Sequence, residues 1–120
     1  MRLLKALYSV GLLIVFAIGV AHATDVQNND TTVDVEGAHH GIDIRDFAFY
    51  PASILIKPGD KITWINSDIA PHTATAVDGS WDTGSLKMNE SYSLVVTEGM
   101  DLSYYCEFHP MMVATLQWDE

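Results

Sequence analysis

From Ile42 to the C-terminus the chain is written in period two, and that pattern limits its folds more than any other feature. Ile42 and Ile44 lead to Phe47 and Phe49, until Pro51 breaks the run. Ile54-Leu55-Ile56 leads into the Pro58-Gly59-Asp60 turn, and Ile62 and Trp64 then fall on one face of 61–66. After the loop Asp68-Ile69-Ala70-Pro71 comes a short run, Thr73 to Val77, and a second loop from Asp78 through Gly84. Tyr92, Leu94 and Val96 are again in phase, as are Leu102, Tyr104 and Cys106, and finally Met112, Ala114, Leu116 and Trp118. Side chains alternate between faces only in a strand, and Gly, Pro and Asp clusters every few residues mark the reversals. No amphipathic helical pattern interrupts the series. The pattern predicts an all-β fold, an antiparallel sandwich or barrel of Greek-key type with about seven or eight strands. At 120 residues there is room for one such domain and not for a second.

The N-terminus follows different rules. Arg2 and Lys5 precede an apolar run from Ala6 to Val20, and Ala21-His22-Ala23 supplies small residues at the positions a signal peptidase reads. Residues 1–23 are thus expected to be a secretory signal peptide, and the protein periplasmic. The rival, a retained membrane anchor, needs about 20 apolar residues and the run is shorter. Residues 24–41 are polar and acidic and predict a flexible lead-in, with His39 and His40 solvated within it, ahead of a domain over 42–120. Without residues 1–23 the chain keeps four basic and 16 acidic residues, a net charge of −12. Such a charge repels nucleic acid and suits a basic protein partner, or simply keeps the chain soluble.

Cys106 is the single cysteine, so export brings no internal disulfide. Its neighbours give the thiol a use: Cys106-Glu107-Phe108-His109-Pro110-Met111-Met112 contains Cys-x-x-His-x-x-Met. A type I copper site takes two imidazoles and a thiolate in a trigonal plane, with a weak thioether on the axis. Three of those four donor types lie within seven residues, and His72 in the loop after Trp64 can supply the second imidazole. Zinc would prefer four strong ligands and binds thioether poorly, and a binuclear copper centre would need a second cysteine. Met111 and Met112 both compete for the axis.

At this point the chain resembles the cupredoxins, and within them the amicyanin and bacterial plastocyanin-like branch. The resemblance runs from Phe47 to Trp118 and rests on Phe49-Tyr50-Pro51, Lys57-Pro58-Gly59-Asp60, Thr63-Trp64-Ile65-Asn66, Pro71-His72-Thr73, Trp81-Asp82-Thr83-Gly84 and the Cys106 to Met112 segment. It implies one copper ion held by His72, Cys106, His109 and Met112, the axial choice following from the two-residue gap after His109. Met111 then points outward, extending an apolar patch with Pro71, Phe108 and Pro110. Relatives often carry Asn after the first histidine. Here Thr73 replaces it, with a backbone N–H to reach the sulfur but a side chain unable to brace the loop as an amide would, so that Asn66 takes part of that work or serves only structural hydrogen bonds. Trp64 and Trp81 are expected to be packing aromatics.

The reading that follows is a monomeric electron shuttle, not an enzyme, with His109 as the port. The resemblance implies redox proteins as partners, a dehydrogenase donor and a c-type cytochrome acceptor, and no insertion of the mature domain into a membrane. The alternative is a copper buffer or delivery protein on the same scaffold. A nitrite reductase or multicopper oxidase is disfavoured, since one domain without a His-x-His pair cannot build a second copper cluster.

Overall fold

The computed structural model describes residues 36–120, all in strands, turns and loops. The expected signal peptide (1–23) and most of the expected lead-in lie outside the described residues. Eight strands follow in order: β1 (His39–Arg45), β2 (Ala48–Tyr50), β3 (Ser53–Ile56), β4 (Lys61–Asn66), β5 (Thr75–Ala76), β6 (Ser91–Val95), β7 (Ser103–Tyr105) and β8 (Val113–Trp118). They form two four-stranded sheets, β2-β1-β4-β6 and β3-β8-β7-β5. This is the expected β-sandwich, with one difference from a purely antiparallel design. β1 runs parallel to β4, and β3 parallel to β8. The chain leaves the first sheet after β2, lays β3 into the second and returns for β4, and a crossover of that kind delivers a parallel neighbour.

Alternation translates directly into burial. Ile42 and Ile44 of β1, Phe49 of β2, and Ile62 and Trp64 of β4 face inward from one sheet, opposite Ile56 of β3, Tyr104 of β7 and Leu116 of β8. Trp64 and Trp81 stack with centroids 5.4 Å apart, and Tyr104 meets both edge-on or tilted, at 5.8 and 5.5 Å. Both tryptophans are therefore packing aromatics. Burial of this order contributes roughly 2 kcal/mol per large side chain, which is why the phase of each strand is tightly specified.

β1 begins at His39, ahead of Ile42 where the alternation starts and inside the stretch read as lead-in. The reason is non-local. His39, His40 and Gly41 pair with Lys61, Ile62 and Thr63, and the buried Asp60 carboxylate accepts the Ala38 N–H and bonds the His40 ring, both at 2.8 Å. Gly37 lies so near the turn that an added Cβ would stand 2.1 Å from the Gly59 carbonyl oxygen. His39 and His40 are thus ordered, His39 through its Nε2 at 2.8 Å from the Thr63 hydroxyl.

At one end of the sandwich three connections meet: the two-residue turn between β1 and β2, the connection 67–74 from β4 to β5, and the segment 106–112 between β7 and β8.

Candidate metal centre

His72 is placed by a backbone bridge: its N–H donates to the Leu86 carbonyl at 3.1 Å and its carbonyl accepts the Leu86 N–H at 2.8 Å. Cys106 leaves β7 in the inward phase of Tyr104 and is fully buried. The segment then closes on itself. The His109 N–H donates to the Cys106 carbonyl, the Met112 N–H to the His109 carbonyl and the Cys106 N–H to the Met112 carbonyl, at 3.2, 2.8 and 3.0 Å. The short loop thus turns His109 back over the cysteine.

His72, Cys106 and His109 converge, the three being the sole group of this kind among the described residues. The Cys106 Sγ lies 3.7 Å from the His72 Nδ1 and 3.6 Å from the His109 Nδ1, and the two nitrogens are 3.2 Å apart. A point equidistant from all three corners is about 2 Å from each, the length of a metal–imidazole bond. The His72 Nε2 sits 2.8 Å from an Asp68 oxygen. A carboxylate only accepts, so Nε2 carries the hydrogen and Nδ1 keeps its lone pair directed at the sulfur and at His109. Three electron-rich atoms aimed at one point fit a cation, and thiolate with two imidazoles is the in-plane donor set of a type I copper ion. Met112 is buried at 4% exposure, whereas Met111 is 92% exposed.

The surroundings hold this triangle in three ways. The Thr73 N–H points at the Cys106 Sγ at 3.4 Å, as its place after His72 suggested. The Thr73 side chain, expected to lack the brace an amide would give, braces the loops through its hydroxyl instead. Its hydroxyl oxygen accepts the Glu107 N–H at 2.9 Å and lies 2.9 Å from the Thr75 hydroxyl, which donates to Asp82 at 3.0 Å. A hydroxyl can accept and donate at once, and here it spans the two ligand segments. Asn66 shares the work. Its Nδ2 donates to the Ala70 and Leu86 carbonyls, both at 2.8 Å, and its Oδ1 accepts the Asp68 N–H at 2.9 Å.

Two contributors escaped sequence reasoning. Burial acts to raise the pKa of the Asp68 carboxyl, but N–H bonds from Phe47, Asp46 and His72 outweigh it and hold the group below the usual carboxylate range, ionised and able to orient His72. No local pattern signalled it, because a four-residue spacing brings side chains together on a helix and residues 68–72 form a loop. Phe47 packs edge-on to both His72 and His109, with centroids 5.2 and 4.9 Å away. The run from Ile42 to Phe49 reads without a break, although the odd spacing between Ile44 and Phe47 shifts the hydrophobic phase where the turn lies. Phe47, which packs on half-buried His109, is exposed, as are Phe108 and Met111 of the His109 loop.

A buried cysteine sulfur and two imidazoles at the loop end of a Greek-key sandwich define a copper protein of the cupredoxin class. The family profile described as copper binding proteins, plastocyanin/azurin family, matches residues 35–118, and the chain belongs to that family. Its relatives narrow the likeness. Amicyanin of Paracoccus denitrificans is 33% identical over 76 residues, 59% of this chain and 58% of that protein, so the match spans under two thirds of the relative's length. The Cu(I) form of an amicyanin variant superposes with a TM-score of 0.60 at 27% identity, covering 72% of this chain and 88% of that one. A Cu-containing nitrite reductase from Thermus scotoductus SA-01 shares the fold (TM-score 0.59, 22% identity, 68% of this chain), but only 22% of the larger chain is matched. Among the described residues no helix is long and apolar enough to cross a membrane.

Proposed function

We propose that this protein is a periplasmic one-electron carrier that holds a single type I copper ion through His72, Cys106, His109 and Met112. The observation that carries the reading is the preformed triangle of two Nδ1 atoms and one Sγ, with edges of 3.2 to 3.7 Å. When bound, copper supplies the redox couple, cycling between Cu(II) and Cu(I). The chain supplies the rest. Thiolate and thioether suit Cu(I) while imidazole suits both states, so neither oxidation state calls for a new ligand set. The Thr73 and Asn66 hydrogen bonds resist rearrangement as charge changes, and the burial of His72 and Cys106 excludes water from that side. Burial supports Met112 as the axial donor, with Met111 outside. Half-buried His109, with exposed Phe47 packed on it and exposed Phe108 and Met111 in its own loop, is the port through which a redox partner exchanges electrons, and no substrate bond is made or broken. A dehydrogenase donor and a c-type cytochrome acceptor fit the likeness to amicyanin, and the acidic surface favours the cytochrome's basic face.

The test is copper titration of the metal-free mature chain, followed by visible and paramagnetic resonance spectra and by cyclic voltammetry. One copper per chain, an intense thiolate-to-copper band that vanishes in Cys106→Ser, and a reversible couple with copper retained are expected. Loss of copper on reduction would favour the delivery role, and an undiminished band in Cys106→Ser would overturn the site.

A further inference from the structure

We propose that Phe47 is a positioning residue of the copper centre, an aromatic brace that the β1–β2 turn holds against both histidine ligands. The proposal rests on the ligand set given above and assigns a task to a side chain outside it. Its starting point is strain. Arg45 pairs with Ala48, so Asp46 and Phe47 form a two-residue hairpin turn, and both have positive φ, 52° and 55°. That conformation is the mirror-image turn that favours Asn-Gly, because a side chain at positive φ crowds the carbonyl oxygen. Asp tolerates the left-handed region. A bulky aromatic there is an outlier, and such outliers persist where surrounding contacts over-determine them.

The contacts that hold the turn lead to the metal site. One Asp68 carboxylate accepts the Asp46 N–H at 2.8 Å and the Phe47 N–H at 3.0 Å, and the oxygen serving Phe47 also takes the His72 Nε2 at 2.8 Å. The strained turn and the first histidine are therefore referenced to a single anion. The ring reaches the second histidine as well. It stands nearly perpendicular to both imidazoles, at 87° and 86°, and edge-to-face packing is the favoured geometry of aromatic rings at these separations. His72 is already fixed by its backbone bridge and by Asp68, whereas the His109 side chain has no hydrogen-bond partner outside the metal triangle among the described residues. Phe47 gives that ring a wall to rest on. Although Phe47 is 54% exposed to solvent, its ring covers the two imidazoles on the side where it packs against them.

Phe47→Gly separates this role from a structural one, because glycine suits the positive φ and relieves the strain while removing the ring. Its metal-free form is expected to unfold at the same temperature as the parent or higher. Its copper is expected to transfer to a Cu(I) chelator about tenfold faster, the size of two lost edge-to-face contacts. Added azide is expected to perturb the Cu(II) spectrum of Phe47→Gly and not that of the parent, and Phe47→Tyr is expected to restore slow release. A second measurement needs neither copper nor a variant. In the metal-free parent, proton NMR should show nuclear Overhauser contacts from the Phe47 ring to both His72 and His109. Release from Phe47→Gly within twofold of the parent, or the absence of those contacts, would overturn the brace while leaving the ligand set intact. A parent chain that binds no copper would instead overturn the ligand set.

Discussion

Thr73→Val removes one oxygen atom from the buried side chain that joins the two ligand loops, leaving its shape in place. The hydroxyl is the centre of a directional chain. Glu107 N–H donates to Thr73, and because the Thr75 hydroxyl is spent on the Asp82 carboxylate, Thr73 must donate to Thr75. Valine breaks two of these bonds and strands the Glu107 N–H, with a loss of about 1 kcal/mol for each bond on the usual net value. For a domain of this size about 2 kcal/mol corresponds to a fall of about 10 °C in melting temperature. Thermal unfolding of the metal-free protein measures it directly. The Thr73 N–H that faces the Cys106 sulfur at 3.4 Å is untouched, so the thiolate-to-copper band should survive. Combined with Thr75→Val, the double variant should cost about 1 kcal/mol less than the two single changes together, since both break the same hydroxyl pair. A melting temperature within 2 °C of the parent, together with strict additivity, would show that the hydroxyl chain links nothing.

Three further outcomes are expected. Met112→Gln should keep copper but shift the reduction potential by voltammetry, since the axial donor tunes the site without anchoring it, whereas Met111→Gln, at a 92% exposed position, should leave the potential nearly unchanged; the reverse pattern would move the axial bond to Met111. Burial alone would raise the pKa of Asp60, but bonds from His40 and from the Lys57 and Ala38 N–H groups outweigh it and lower the value. A lowered native pKa gives stability that is present above the unfolded carboxylate range and lost as pH falls through the native value, so denaturant unfolding between pH 6 and 2 should show a smaller acid loss in Asp60→Asn than in the parent. Electron exchange with a basic cytochrome should slow as salt rises, because the net charge, −10 for the full chain and −12 without residues 1–23, steers encounter over about 10 Å at 0.1 M ionic strength, and stopped-flow rates independent of salt would reduce that charge to a solubility device.

What the sequence determined by itself is what short-range patterns encode. Alternation in strands such as Lys61–Asn66 placed Ile62 and Trp64 on the buried face because side-chain direction in a strand depends only on residue parity. The Cys106 to Met112 spacing brought thiolate, imidazole and thioether into one loop for a similar reason, the chain being too short there to separate them. Tertiary structure decided everything carried across the sandwich. The contacts that make the centre join residues 33 to 37 positions apart: Thr73 to Cys106, Thr73 to Glu107 and His72 to His109. No local signal reports that the Thr73 hydroxyl finds the Glu107 N–H, that the Asp68 carboxylate ties a hairpin turn to His72, or that Phe47 accepts a strained backbone to lie against two imidazoles. Nor does composition show that the chain joins the sheet from His39, since that start depends on the register of β1 against β4. Periodicity selects a face, whereas strand pairing selects the neighbour on that face, and the metal centre is assembled from such neighbours.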